Sequence, residues 1–310
     1  MNNQEKTIQD KSEIIFLYES TYSIPNGDPF TGEQRYDEET KNILVSDVRI
    51  KRFIRDYLEA HGEHIYVSNK TEGGSTDAKN VIKWIAQNRN PKKILDVGEL
   101  LKDQIDVRLF GGISTLGDDA KNIKIDKEKM KNGHVQFTGP VQFSLLNPSL
   151  NKVNLRMHQN TSHFKSSEEK QQGSIGTTTV GPYAMVQIHG WINPKVAEDT
   201  GLTSDDLSKM FKALWYGSSG DGSSHSRSKI GQNSILLLQV VYSEPNKKVY
   251  GVDKLIGLKG KDGKKEEQWR GINDFDIDLG NLIDKAKSDK IRQIRYYTEV
   301  DSIDNKLQDE

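Results

Sequence analysis

The sequence predicts an α+β fold whose core runs β-α-β-β-α-β. Three observations carry this. Short stretches rich in β-branched and aromatic residues recur along the chain. Two stretches between them repeat apolar residues at helical spacing. Long polar excursions separate these elements without adding a core of their own.

Residues 13–19, EIIFLYE, read as the first strand, and Ile24-Pro25-Asn26-Gly27-Asp28-Pro29 as a turn-rich loop. The clearest helix follows, with Ser46 as N-cap and Gly62 just past its end. Ile50, Phe53, Ile54, Tyr57 and Leu58 form its apolar face. Arg49, Arg52 and Arg55 stand opposite at three-residue spacing, with Lys51 beside them. The pattern is an apolar floor under a cationic roof.

Residues 62–133 read as an insertion, with helices over Ala78–Ile85 and Ile94–Ile105 and a short strand or tight turn over Asp106–Gly112. Val135–Leu146 reads as one long strand interrupted at Gly139-Pro140. Residues 147–182 form a polar excursion, and Tyr183–Trp191 is the next strand. Thr203 starts a helix to Tyr216 with Leu207, Met210, Phe211 and Leu214 as its stripe. A Gly/Ser loop spans 217–231, and Ser234–Tyr242 is the last strong strand. The order is that of ferredoxin-like and RNA-recognition-motif folds. The reading is one domain over 1–310, with a C-terminal extension over 243–310 that holds a strand candidate at Ile291–Thr298.

The chain has 310 residues and a formal net charge of -1, which by itself disfavours a nucleic-acid partner. The balance hides segregation. Residues 41–55 set five Lys/Arg against Asp47, residues 120–165 eight against two acids, and residues 247–265 seven against two. The last twelve residues set five acids against Lys306. With no cysteine, disulfides, zinc fingers and thiol nucleophiles are excluded. The polar N-terminus and the absence of a long apolar run predict a cytoplasmic protein with no membrane partner.

Catalytic chemistry has little to build on. His158, His163, His189 and His225 show no paired metal-ligand spacing. The 217–231 loop lacks the Gly-Lys-Ser/Thr end of a phosphate loop, although Arg227 and Lys229 suit a backbone-phosphate contact. Asp28 and Asp37 flank the first loop without a placed base. No cofactor or metal is expected. The cationic helix is the strongest signal, because cations fixed on a rigid element suit repeated phosphate contacts. Aromatics make up only 8% of residues, so contact to the nucleic-acid backbone is expected to outweigh base stacking.

Several blocks in order then resemble a known family. They are Asn26-Gly27-Asp28-Pro29, Val45 to Asp56, Asp106 to Gly112, and Thr138-Gly139-Pro140-Val141-Gln142-Phe143-Ser144. Together they resemble the backbone subunit of type I CRISPR Cascade, the Cas-seven family, in its type I-B/I-C branch. The resemblance covers roughly residues 13–242. It implies a modified recognition-motif core, with a finger-like insertion at 62–133 and a thumb excursion at about 155–182. It implies a non-catalytic subunit that polymerises along a guide crRNA with copies of itself and other Cascade subunits. The guide then pairs with target DNA in antiviral defence. The RNA-binding residues it implies are Asn26, Gly27, Arg49, Lys51, Arg52, Arg55, Arg108, Gly111 and Gly112. His163 and Lys165 in the thumb, with Arg227 and Lys229, complete the set. The alternative is a metal-dependent ribonuclease using Asp28, as in type III backbone subunits. The chain departs from the family's loop pattern at Ile24, where an Asn is usual, and at Gln34-Arg35, where a Pro-Arg pair is common.

Overall fold

Five consecutive side chains, Ile14 to Tyr18, are fully buried in β1 (Ser12–Ser23). Successive side chains of a strand point to opposite faces, so such a run demands cover on both sides. In the computed structural model, which describes residues 7–68, 81–82, 97–115, 134–161, 175–219 and 226–308, both sides are covered. β1 lies inside an antiparallel sheet. Its order is β13 (Ile291–Tyr297), β10 (Gln232–Tyr242), β1, β9 (Ile175–Ile192), β6 (Val141–Phe143). A further strand, β8 (Arg156–Thr161), pairs with the first part of β9.

One face carries Phe16, Tyr18, Ala184, Val186 and Ile188. They pack against α1 (Asp47–Ala60) and α5 (Ser204–Ser218), the two helices read from the sequence; the short α4 (Pro194–Thr200) leads into α5. Gly62 has a φ of +86°, which fits its place just beyond α1. Thr203 caps α5 in a closed box: Asp206 N donates to Thr203 Oγ1 at 3.2 Å, and Thr203 N donates to an Asp206 oxygen at 3.1 Å.

The other face carries Ile15, Leu17, Met185, Leu236, Leu238 and Val240. Val249, Val252, Trp269, Phe275, Leu282 and Ile303 of the C-terminal segment cover it. That segment includes the hairpin β11 (Gly257–Gly260) and β12 (Phe275–Asp278), plus α6 (Gly280–Ala286) and α7 (Asp301–Gln308). The predicted strand at 291 is present as β13, on the edge of the sheet. The basic stretch 247–265 is partly neutralised within the same segment. Lys259–Asp278 (2.9 Å), Lys261–Asp276 (2.9 Å) and Lys264–Asp274 (2.5 Å) are ion pairs along the hairpin.

The insertion differs from its sequence reading in two ways. Ile94–Ile105 is not one helix; α2 (Val97–Lys102) ends in a turn before α3 (Ile105–Phe110). Asp106–Gly112 is not a strand, because α3 runs through it and β4 (Gly111–Thr115) begins only at the glycines. The helical period was hidden because α3 is buried on several sides. Ile105, Leu109 and Phe110 join the main core, while Val107 joins a satellite core with Tyr66, Val81, Ile82 and Leu101. Of the predicted helix Ala78–Ile85, only residues 81–82 are described, and both are helical.

Val135–Leu146 is likewise not one strand. β5 (His134–Thr138) pairs with β4, whereas β6, beyond Gly139-Pro140, pairs with β9 in the main sheet. The chain changes sheets at the predicted break. Gly139 allows the change: a Cβ there would lie 2.0 Å from the carbonyl carbon of Phe110. Gly111, with φ +78°, has the reciprocal contact, its Cβ position 2.3 Å from the Phe137 oxygen. Gly139→Ala should therefore destabilise the protein by about 1–3 kcal/mol through overpacking. An unchanged midpoint in urea unfolding would contradict this.

A small sheet was not anticipated at all. β2 (Tyr36–Asp37), β3 (Asn42–Ser46) and β7 (Leu146–Pro148) form it just before α1. These strands are two to five residues long, too short for a periodic signal.

Candidate nucleic-acid interface

The loop after β1 is held by one side chain. Asn26 Oδ1 accepts hydrogen bonds from both the backbone N–H and the hydroxyl of Ser46, each at 2.7 Å. Ser46 is thus the N-cap residue by position, but its hydroxyl serves Asn26 instead of the helix amides. Asn26 N donates to Gln34 Oε1 at 3.0 Å, and Gly27 bridges to Gln34. Asn26 is buried, so its first role is to fasten the loop to the start of α1.

Asp28 accepts from Phe30 N at 2.9 Å and Thr31 N at 3.3 Å, and Arg35 stands 3.3 Å away. These two amides, ahead of Arg35, hold its carboxyl below the usual carboxylate range. Asp37 does the same for Glu39 N and Thr40 N. Both aspartates are turn residues. Among the described residues, no cluster of three or more His, Cys, Asp or Glu is placed to hold a metal.

The cationic roof of α1 is less open than its spacing suggests. Lys51 pairs with Asp47 at 3.0 Å and Arg52 with Asp56 at 2.6 Å, both one helical turn apart. Arg55 reaches Asp106 in the insertion at 2.9 Å, and Asp106 is fully buried. None of these basic residues is exposed. Arg108 is also committed. It grips Asp206 through two hydrogen bonds of 2.9 and 2.6 Å, locking α3 to α5. Burial disfavours the Arg108 cation, but the hydrogen bond and charge of Asp206 outweigh it and raise its pKa. Gly111 answers to backbone crowding, and Gly112 lies against Val107 and Tyr66.

Arg49 and Lys229 form a different kind of pair. Arg49 lies over the Phe53 ring at 4.1 Å and is half-buried. Lys229 lies in a 3-10 turn, Arg227–Lys229, and its ammonium donates to the carbonyls of Ile24 (2.5 Å) and Pro25 (3.3 Å). Burial first, then the charge of Arg49, lowers the Lys229 pKa from 10.5 to about 7. The charge of Arg49 thus acts on Lys229, and no Asp or Glu within 4 Å is paired with Lys229 among the described residues. The nearby Tyr18 hydroxyl is buried with no hydrogen-bond partner among the described residues. An anion would relieve the repulsion and supply acceptors.

A cleft of about 610 Å³ adjoins this pair. Ile24 belongs to both, and its amide donates to Ser228 O at 2.8 Å. Arg227 lines the cleft from the 3-10 turn, while Arg156, Met157 and His158 line it from β8. Tyr22 completes it, with a φ of +45° that a bulky side chain rarely adopts. Tyr22 is 57% exposed and Met157 70%. The walls offer cations for phosphates and apolar surface for bases. His163 and Lys165 lie outside the described residues, as do His225 and six of the eight Lys/Arg of the stretch 120–165. His189 pairs with Glu13 inside the fold at 2.7 Å.

The model of the family "CRISPR-associated protein Cas7" matches residues 10–280. This chain belongs to the Cas7 family. A Cas7 protein of Haloferax volcanii is 32% identical over 292 residues, covering 90% of this chain and 83% of its own. Two solved chains share the fold at a TM-score of 0.53 and 14% identity, each covering 94% of this chain. They are described as "CRISPR RNA-guided surveillance complex, pre-nicking" and "CRISPR RNA-guided surveillance complex", and 93% and 90% of their own lengths are covered.

On this Cas7 scaffold, the sequence reading missed Tyr22, Arg156, Met157 and His158 as residues that line the cleft. Only Arg156 carried a signal, as a member of the 120–165 basic block. Met157 and His158 are brought there with it by β8 folding back along β9, and Tyr22 by the end of β1. Among the described residues, no helix is long and apolar enough to cross a membrane.

Proposed function

We propose that this chain is a crRNA-binding backbone subunit of a type I CRISPR surveillance complex, Cascade. In this reading, copies polymerise along the guide together with other Cascade subunits in the cytoplasm. They present the spacer for pairing with target DNA. Base pairing supplies sequence specificity, and the protein supplies backbone contacts. The observation that carries the reading is the Arg49–Lys229 pair, two half-buried cations beside an open basic cleft. Arg227 extends it toward the phosphates of a bound strand. Asn26 and Gly27 shape the adjoining loop. Lys51, Arg52 and Arg55 contribute a weaker field through charges already paired, and Arg108, Gly111 and Gly112 position the insertion. His163 and Lys165 remain thumb candidates.

The strand order β10-β1-β9-β6, with α1 after β1 and α5 after β9, supports a ferredoxin-like, recognition-motif core. In this reading 62–133 is the finger-like insertion and about 155–182 the thumb. One further fact favours backbone contact over stacking on the sheet: the face opposite the helices is buried by the C-terminal segment.

The subunit is proposed to be non-catalytic, because Asp28 spends its carboxylate on turn amides and Arg35. Asp28→Ala should leave guide retention intact, and complementary RNA should stay whole with Mg²⁺ or Mn²⁺ whether or not Asp28 is present. Metal-dependent cleavage that disappears in the variant would establish the ribonuclease instead. The direct test of the main reading is the nucleic acid that co-purifies with the protein. A short RNA of defined length is expected; DNA or none would contradict it.

A further inference from the structure

The second face of the main sheet is closed by the C-terminal segment, yet that segment carries a cationic feature the guide reading does not use. Between β10 and β11, Val249 and Val252 are buried anchors. Tyr242 accepts a hydrogen bond from Val249 N at 3.2 Å, and Lys11 donates to Lys247 O at 3.0 Å from beneath. Lys11 itself lies over the Trp191 and Tyr242 rings, at 5.3 and 5.4 Å. On this firmly held loop Tyr250 is 86% exposed. The Lys254 ammonium lies 5.7 Å from its ring, and Lys248 is exposed nearby in sequence.

The neighbouring lysines make a telling contrast. Lys259, Lys261 and Lys264 each have an aspartate partner. Lys247, Lys248 and Lys254 have none among the described residues, although Glu244 and Asp253 belong to the same loop. The Tyr250 ring is open to a stacking partner, and an anchored loop loses little freedom when one arrives. An aromatic ring flanked by unpaired cations suits a base with its flanking phosphates.

We propose that the Tyr250 loop is a second nucleic-acid contact, which stacks a base of a single strand on Tyr250 while Lys248 and Lys254 hold its phosphates. Its anchors belong to the core on the far side of the sheet from α1, so the strand it takes is distinct from the one at Arg49 and Lys229. The contact is sequence-tolerant, because every base offers a face to stack.

The test uses the full chain, with and without its bound RNA, and a fluorescent oligo(dT) carrying 4-thiothymidine. Photocrosslinks are expected at Tyr250 in both preparations. Tyr250→Ala should weaken oligo(dT) binding by roughly 5- to 150-fold, the range for one lost base stack, and Tyr250→Phe should restore most of it. Lys248→Ala with Lys254→Ala should make the log affinity–log salt slope shallower by about 1.4, at roughly 0.7 per phosphate. Retained guide RNA should be unchanged in all three. Unaltered oligo(dT) affinity and slope would overturn the proposal. So would a loop that binds a poly-Glu peptide but not oligo(dT), which would mark an acidic protein partner. Loss of retained RNA in an Arg49→Ala, Lys229→Met chain that still crosslinks at Tyr250 would separate the two sites.

Discussion

A chain carrying Arg49→Ala and Lys229→Met is expected to lose its guide RNA by about a hundredfold or more in affinity. Each side chain is argued to make a charge-assisted contact to a phosphate, at roughly 1.5–3 kcal/mol apiece. The salt dependence should flatten by about 1.4 in log–log slope. Lys51→Ala with Arg52→Ala removes the same formal charge but should cost less, because Asp47 and Asp56 already neutralise those two. Equal losses in the two double variants would show that the α1 ion pairs open on binding.

Lys229→Met alone has an opposite effect on the RNA-free protein, and its sign follows from linkage. The lysine titrates near 10.5 when unfolded and at about 7 when folded. Between those values the unfolded chain binds more protons, so this group makes stability rise with pH from about 7 toward 10.5. Below that window the folded state bears the full penalty of a buried cation. Replacing Lys229 with Met should therefore raise the melting temperature at pH 6 and much less at pH 10. A gain of the same size at both pH values would contradict the assignment. A variant that is more stable yet binds less RNA is the mark of a residue kept for its ligand.

Asp106→Ala should be among the most damaging single substitutions outside the central sheet. Asp106 is fully buried and accepts from Tyr66 N at 2.7 Å, Val67 N at 3.1 Å and Arg55 Nε at 2.9 Å. Removing it strands one part-buried cation and two amides. A loss of about 3–5 kcal/mol is expected in chemical denaturation. Arg55→Met combined with Asp106→Ala should recover part of that loss, since no buried charge is then left alone. A loss below about 1 kcal/mol for Asp106→Ala would mean water reaches the site and replaces the carboxylate.

β1, β10, β13, the second half of β9 and the two helices were legible because their signals are local, whereas β8 and the start of β9 lie in the stretch 147–182 that reads as a polar excursion. Ile50, Phe53, Ile54, Tyr57 and Leu58 mark α1 by their spacing, and Thr203 with Asp206 marks the start of α5. What sequence hid was long-range. α3 is buried on more than one side, so its helical period has no polar face to define it. β5 and β6 are adjacent in sequence but belong to different sheets, a choice made by the crowding of Gly139 against Phe110. The cations were countable, but the partners of Arg55 and Arg108 were not. Asp106 lies 51 residues from Arg55, and Asp206 lies 98 from Arg108. Lys229 was legible as a loop cation suited to a phosphate, but only folding brings it to Ile24, 205 residues away.

The two hydrogen bonds from Ser46 to Asn26 bear on assembly. They join the loop after β1 and the first turn of α1 into one rigid piece before any ligand arrives. Ordering that loop at the moment of binding would cost about 1–2 kcal/mol of backbone entropy per residue. In a polymer every added subunit would bear that cost again, so a loop fixed at folding lowers the threshold for adding each copy. Growth then depends on the strand being long enough, and hardly at all on each copy reshaping itself to receive it.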